Sequence, residues 1–339
     1  MHPEMALVLL TVFAGAGQGI FILLFILDAI FSLQGIIPQG FILTSGIISL
    51  ALQAIGVIAS TTHLGNPHRG WRAMLMVKNS WLSREVITLS MSAGCTALYI
   101  LMYWKGMDSS LKFAMGMLGV LGSIGFYISS SMVYASVRFV KEWSTTLTPI
   151  NFTVFGITSG IACGLAVLAN SDVNPDIILG VSEILLALTG ISLLLKLLTY
   201  RYNARSYLSV SEKNAIGVNN PSIKLMDMGT SYAHYNTTEY YHPYTDEQNK
   251  SMQVTVLFLT FVIPATIAAI ITSNFAPAIS GILSIILAVS MLIGMLFERR
   301  LFFIQGNNIQ NLYYGNFRHS AAGNPIVSAA RKGTPVSVK

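Results

Sequence analysis

The residues best suited to redox-linked proton chemistry lie in one short segment, S-T-T-H-L-G-N-P-H-R-G-W-R-A, where an apolar run meets a basic loop. His63 stands at that boundary, and Arg69 and Arg72 follow it with Trp71 between them. An imidazole has a pKa of about 6.5 in water, so it can give or take a proton while a bound quinone is reduced or oxidised. We interpret His63 as a candidate hydrogen-bond partner for a quinone carbonyl. The alternative is a helix-end histidine that is hydrogen-bonded to water and lipid headgroups.

Further polar side chains extend this candidate site. Arg84 and Glu85 are adjacent at the entrance to the third predicted span, Gln18 lies midway along the first, and Tyr134 lies near the end of the fourth. With His63 as the catalytic residue, the predicted quinone-binding set is His63, Gln18, Arg69, Arg72, Arg84, Glu85 and Tyr134. Plainer alternatives stay open: the arginines set topology, Arg84 and Glu85 form a local ion pair, and Tyr134 belongs to an aromatic belt at the membrane surface.

Metal-based chemistry is not expected in this chain. Bound haem b needs axial ligands, usually paired histidines, and of the six histidines only His63 is near a span. Cys95 and Cys163 are the only cysteines, and both fall inside apolar runs, so they cannot supply the thiolates of an iron–sulfur cluster. We predict no haem, no iron–sulfur cluster and no other metal site in this subunit.

The composition places these residues in a membrane protein. Of 339 residues, 53% are hydrophobic and only 10% are charged, whereas soluble domains are about 25% charged. An apolar run of about 20 residues can cross a bilayer as a helix that satisfies its own backbone. We predict an all-α integral membrane protein, a bundle of eight transmembrane helices within an anchor domain 1–305, with a tail 306–339. The predicted spans are 6–33, 40–62, 86–104, 111–137, 150–170, 177–200, 254–273 and 276–297.

Positive charge is concentrated on one side of this predicted bundle. Eighteen of the 20 Lys and Arg residues fall on the side that carries both termini, and only Lys105 and Lys112 fall on the other. The positive-inside rule then predicts cytoplasmic termini in a bacterial or archaeal cytoplasmic membrane. The net charge of +6 therefore reflects topology, and we expect no nucleic-acid partner. The docking surface predicted for a soluble redox partner comprises Arg69, Arg72, Lys78, Arg138 and Lys141.

Two acidic residues fall inside spans near the less basic side. Asp28 lies in the first predicted span and Glu183 in the sixth. Each could snorkel to the interface with its carboxylate in water. Ionisable groups within spans are often functional, so the sequence leaves the roles of both residues open.

Five stretches of the chain carry a family resemblance. They are M-H-P-E-M-A-L-V-L-L-T-V-F-A-G-A-G-Q-G at the start, S-T-T-H-L-G-N-P-H-R-G-W-R-A, S-W-L-S-R-E, S-S-M-V-Y-A-S-V-R, and R-R-L-F-F-I-Q-G-N-N-I-Q-N-L-Y-Y-G near the end. The chain resembles the DmsC-type anchor subunits of DMSO-reductase-type molybdoenzymes, and more distantly the NrfD type. Its opening and closing motifs are most similar to the anchors of cytoplasmic sulfite-oxidising complexes. The long loop 201–250 departs from the shorter classical anchors.

The resemblance implies a haem-free anchor of eight helices that works with a molybdopterin catalytic subunit and a four-cluster ferredoxin-like iron–sulfur subunit. It also implies a quinone, menaquinone or ubiquinone, and links the histidine at His63 to quinol chemistry. We predict electron transfer between the quinone pool and the cluster subunit, within a cytoplasm-facing sulfite dehydrogenase. The alternatives are the anchor of a quinol-oxidising DMSO or S-oxide reductase, a polytopic transporter, and an inert structural anchor. Transporters usually place their polar sites at the membrane midplane, whereas here the polar residues collect at one face.

Overall fold

The computed structural model describes residues 3–31, 37–62, 64–107, 110–208, 246–273, 279–306 and 308. His63, most of the loop 201–250 and nearly all of the tail 306–339 lie outside this described part of the chain. Within it, eight helices are long and apolar enough to cross a membrane, which confirms the predicted helical membrane architecture. They are α1 Met5–Phe31, α2 Gln39–Thr61, α3 Trp81–Trp104, α4 Ser110–Ala135, α5 Leu147–Leu168, α6 Pro175–Arg205, α7 Glu247–Thr272 and α8 Ser280–Gln305.

The third helix begins earlier than its hydropathy predicted. Its first residue is Trp81 rather than residue 86, and Ser80 caps it by accepting a hydrogen bond from the Ser83 amide at 3.4 Å. A serine at this position satisfies one of the free N–H groups of the first turn. Arg84 and Glu85 are therefore part of the helix and do not lie in the loop before it.

Three other helices also continue past their predicted ends. The sixth helix runs on to Leu208, the seventh begins by Asp246, and the eighth ends at Gln305, eight residues beyond the predicted limit. Charged side chains in these end turns lower the local hydropathy without interrupting the helix. As a result, Glu298 and Arg299, which lie beyond the predicted end of the eighth span, stand inside α8. Lys196 lies inside α6, within its predicted span, although its charge counts toward the basic face.

The first helix is the centre of the bundle. In its most apolar window 83% of residues are buried, against 28–67% for the other seven spans. Its Gly15 and Gly19 face Gly156 and Gly160 of α5 so closely that a Cβ added at Gly160 would overlap the Gly19 backbone. Small residues allow helices to approach closely in lipid, where van der Waals packing drives their association. The two G-x-x-x-G pairs therefore form the tightest helix crossing around α1.

Two helices each contain one wider turn. Leu10–Ala14 in α1 and Leu257–Val262 in α7 are π-helical. Such turns leave backbone groups without their regular partners and often occur at functional sites. In α7 the Leu259 carbonyl accepts a hydrogen bond from the Ser290 hydroxyl of α8 at 2.9 Å, which satisfies one of these groups.

The helix ends define two faces. Successive spans run in opposite directions, so one face collects the beginnings of α1, α3, α5 and α7 and the ends of α2, α4, α6 and α8; we call it the basic face. Direct contacts tie it together: Trp143 Nε1, in the loop between α4 and α5, donates to the Phe302 carbonyl at 3.0 Å. The amide of Gln305 at the end of α8 donates to Asn249 at the start of α7 at 3.3 Å.

At the opposite face, Asp28 is paired within the protein. Tyr99 of α3 donates a short hydrogen bond to its carboxylate, and Lys112 of α4 lies 3.9 Å away. Asp28 is only 5% exposed, so the expectation that it snorkels to the interface is wrong. Glu183 is exposed on α6, as that expectation requires. Asp28 thus joins three helices near the opposite face.

Candidate functional site

The predicted docking residues all lie exposed at the basic face. Arg69 and Arg72 belong to a 3-10 helix, Pro67–Met76, in the loop between α2 and α3, and none of its ten residues is buried. Lys78 follows this helix, and the two further cations, Arg138 and Lys141, are exposed in the loop between α4 and α5. Apolar side chains share the surface of the 3-10 helix, among them Trp71, Leu75 and Met76. This combination of cations with exposed apolar area fits a protein interface or the headgroup region of a bilayer.

Arg84 and Glu85 face different surroundings. The Arg84 guanidinium donates to the carbonyls of Val77 and Lys78, at 2.9 and 2.8 Å, and stacks 4.2 Å from the Trp81 ring centroid. Arg84 therefore holds the turn before α3 in place. The Glu85 side chain turns inward and is 6% exposed.

Glu85 and Tyr134 are both buried in the protein interior beneath the basic face. The Glu85 carboxyl lies beside Ser130 of α4 without good hydrogen-bond geometry, and Tyr134 is within electrostatic range of Glu85 and of Arg299. The ring of Tyr134 is buried among four aromatic rings whose centroids are 5.2–5.8 Å away: Trp143, Phe152, Phe302 and Phe303. The aromatic-belt alternative for Tyr134 is therefore wrong, because a belt residue faces lipid.

Gln18 is fully buried in α1, and neither its amide oxygen nor its amide nitrogen has a hydrogen-bond partner in the described part of the protein. Ile22 lies four residues later, on the same side of α1, and belongs to an apolar cluster with Leu89 of α3 and Phe126 of α4. Gln18 therefore faces the side of α1 on which α3 and α4 lie. A buried amide without partners is costly, so this position suits a ligand or an ordered water. The structure thus places Gln18, Glu85 and Tyr134 inside the bundle and leaves Arg69 and Arg72 at its surface.

A buried cluster of charges between α6 and α8 was not predicted from the sequence. Lys196 Nζ lies 2.6 Å from Glu298 Oε1, and Arg299 Nε lies 3.4 Å from Glu298 Oε2. The Arg299 guanidinium also lies 3.7 Å from the ring centroid of Phe152 in α5. All three charged residues are at most 4% exposed. Because Lys196 and Glu298 are 102 residues apart, no local pattern indicates that they pair.

Two small cavities flank this cluster and share Arg299 and Phe152 in their walls. The first opens toward the helix ends of the basic face, and its polar lining includes Asn151, Lys196, Thr199, Asn203, Glu298 and Gln305. The second lies between α1, α4, α5 and α8, and its polar lining includes Thr11, Tyr127, Ser130 and Ser159. Each has space for only about one water molecule, so neither holds a quinone ring in this conformation. Each has room and polar groups for one ordered water molecule.

Metal-ligating residues do not gather in the described part of the chain. No three His, Cys, Asp or Glu side chains there could hold a metal ion together. Cys95 and Cys163 both carry free thiols.

In the described part of the chain, eight helices long and apolar enough to cross a membrane, with a buried polar cluster beneath the basic face, define a multi-pass helical membrane protein. The chain belongs to the DMSO reductase anchor subunit (DmsC) family, whose profile matches residues 1–315. It is also 30% identical over 332 residues to a sulfite dehydrogenase subunit of Allochromatium vinosum, across 93% of this chain and 99% of that protein. The family resemblance drawn from the five motifs is confirmed.

Proposed function

We propose that this chain anchors a molybdopterin oxidoreductase in the cytoplasmic membrane and passes electrons between the quinone pool and a four-cluster iron–sulfur subunit. Membership of the anchor family over residues 1–315 carries this proposal. Similarity to a sulfite dehydrogenase subunit along almost the whole chain favours a sulfite dehydrogenase. The family description supports a second candidate, the anchor of a DMSO or S-oxide reductase.

The interior beneath the basic face offers groups that fit a quinone. A quinone takes up two electrons and two protons, and its carbonyl oxygens need hydrogen-bond donors. Tyr134 lies within electrostatic range of the buried Glu85 carboxyl near that face. Together with His63, these two residues would orient the quinone oxygens and move protons, while the exposed cations bind the cluster subunit. Gln18, whose amide has no hydrogen-bond partner in the described part of the chain, lies 13 residues into α1, about 20 Å from its start, so it suits a ligand group or an ordered water deeper in the bundle.

Purification of the complex through a tag on this chain tests the proposal. We expect a molybdopterin subunit and an iron–sulfur subunit to co-purify, and we expect electron transfer with a quinone in liposomes. A complex that turns over with soluble carriers but never with quinone would instead be an inert anchor. Purification without redox subunits, together with solute uptake into liposomes, would identify a transporter.

Both termini are expected on the cytoplasmic side, because an even number of spans places them together and the positive charge favours that side. A fluorescent protein that folds only in the cytoplasm should be active when fused after Lys339. Alkaline phosphatase, which needs the periplasm, should be inactive there. Phosphatase activity at this position would contradict the topology and the placement of the partner.

Charge reversal at the 3-10 helix should release the soluble subunits. The combined variant Arg69→Glu and Arg72→Glu places two negative charges where an acidic partner surface would bind, so the attraction becomes repulsion. The catalytic subunit should therefore move from the membrane fraction to the soluble fraction. Lys105→Glu is the matched control, because Lys105 is exposed at the opposite face. Retention of the subunits with unchanged salt sensitivity would place the docking surface elsewhere.

A further inference from the structure

The Lys196–Glu298–Arg299 cluster lies too deep to be a surface ion network. Glu298 is seven residues before the end of α8 at Gln305, which places it about 10 Å below the basic face at 1.5 Å per residue. Burying charges at such depth is costly, and replacing a buried ion pair with apolar residues is often neutral or even stabilising. Ionisable groups kept inside membrane helices commonly form ion or proton routes. Packing alone therefore does not account for this cluster.

A polar path leads from the basic face to the cluster. Gln305 donates to Asn249 at the helix ends, and Asn203 donates to Gln305 at 3.4 Å. Further in, the side-chain oxygens of Asn151 and Asn203 are buried and accept no hydrogen bond from any described residue, and the cavity beside them has space for about one water. Two buried acceptors around a polar cavity of that size fit an ordered water, which would connect the amides to Glu298.

The path continues beyond the cluster toward the interior polar groups. Arg299 lines both cavities, and the second cavity reaches Ser130, which lies beside Glu85. An arginine does not give up its proton, so Arg299 supplies a fixed positive charge that orients water and stabilises carboxylates. The groups along this path that can exchange a proton are Glu298 and Lys196, which share a 2.6 Å hydrogen bond, and Glu142, whose buried side chain also lines the first cavity.

We propose that Lys196 and Glu298, with water held by Asn151 and Asn203, carry protons between the aqueous side of the basic face and the quinone. This inference rests on the proposed quinone reactivity. When two electrons arrive from the iron–sulfur subunit, two protons enter by this path and the quinone becomes a quinol. When the quinol is oxidised, its two electrons go to that subunit and its two protons leave by the same path. Lys196 and Glu298 are positioning and relay residues that act through water and Glu85.

The test uses the whole complex in liposomes and the double variant Lys196→Met with Glu298→Gln. The variant retains the net charge of the cluster, since one cation and one anion are removed together and Arg299 remains. We expect quinone-coupled turnover to fall roughly tenfold or more, less than the ~10²–10⁴ expected for a group that contacts the reacting atoms. The solvent deuterium isotope effect should increase, and millimolar formate, a small diffusible acid, should restore turnover. Turnover with a soluble electron carrier should not change.

Glu183→Gln is the matched control, because this carboxyl is exposed on α6 and lines neither cavity. If the double variant does not assemble, Lys196→Met alone is measured in the same way, since it leaves a neutral Glu298–Arg299 pair. Unchanged quinone turnover and isotope effect would overturn the proton path while the quinone function stands, and so would a loss that formate does not restore. A wild-type complex without quinone turnover would overturn both.

Discussion

Quinone-coupled turnover is expected to fall by about 100-fold or more when His63 is replaced with alanine, the effect of losing one positioned proton-transfer group. In the sequence His63 directly follows Thr62, the residue that caps the end of α2 at the basic face. A quinone head group bound there would meet both lipid and the soluble partner. Turnover with artificial carriers that reach the catalytic subunit directly should survive, because the variant still anchors that subunit. The measurement is the ratio of the two activities in one membrane preparation.

His68→Ala is the matched control for this variant. His68 is exposed in the 3-10 helix, five residues further along the same basic loop. It should leave both activities unchanged. Equal loss of both activities in the His63 variant would mean a structural role for His63, and near-wild-type quinone turnover would remove it from the site.

The variant Gly160→Leu is expected to prevent stable folding. A side chain at this position would overlap the backbone of Gly19, and backbone cannot rotate away as a flexible side chain can. Separating α1 from α5 would undo the central crossing, at a cost of about 3 kcal/mol or more. The measurement is the yield of monodisperse protein after detergent extraction, and its thermal unfolding.

Gly190→Leu provides the comparison for Gly160→Leu. Gly190 lies in α6, and a Cβ there meets no atom within 4 Å, so this variant should fold normally. Equal yields from both variants would show that the α1–α5 crossing contributes little to the stability of the bundle.

Much of the architecture could be predicted from the sequence because the bilayer imposes a simple requirement. Runs of about 20 apolar residues must become helices in lipid, so all eight spans could be located. The ends of α3, α6, α7 and α8 are less accurate because charged residues at those ends, such as Arg201 and Glu298, lower the local hydropathy. Hydropathy cannot distinguish a charged residue in a loop from a charged residue in a helix that is buried in an ion pair with a neighbouring helix.

The candidate site could be predicted only in part. Gln18 and Tyr134 could be recognised because polar groups stand out in apolar spans, and Glu85 because it stands directly before one; the structure places all three inside the bundle. Arg69, Arg72 and Arg84 join the predicted site because they are near His63 and Glu85 in the sequence. In the structure Arg84 instead donates hydrogen bonds to the backbone of the turn before α3. The pairing of Lys196 with Glu298 depends on how α6 packs against α8, and a single sequence carries no record of that contact.

The enclosed position of α1 has a consequence for how the protein is made. Among the eight described helices α1 leaves the ribosome before the others, and the groups that pack against it are synthesised later: Tyr99, which binds Asp28, with α3, and Gly160, which contacts Gly19, with α5. Before α3 and α5 are inserted, the Asp28 carboxyl and the Gln18 amide stay in the translocon or at the lipid interface. The nascent chain therefore inserts its most enclosed helix before the helices that enclose it exist, and α1 can reach its final packing only after α5 has been made. Truncations that end before α5 should leave α1 open to quality-control proteases, whereas those that end after it should protect it.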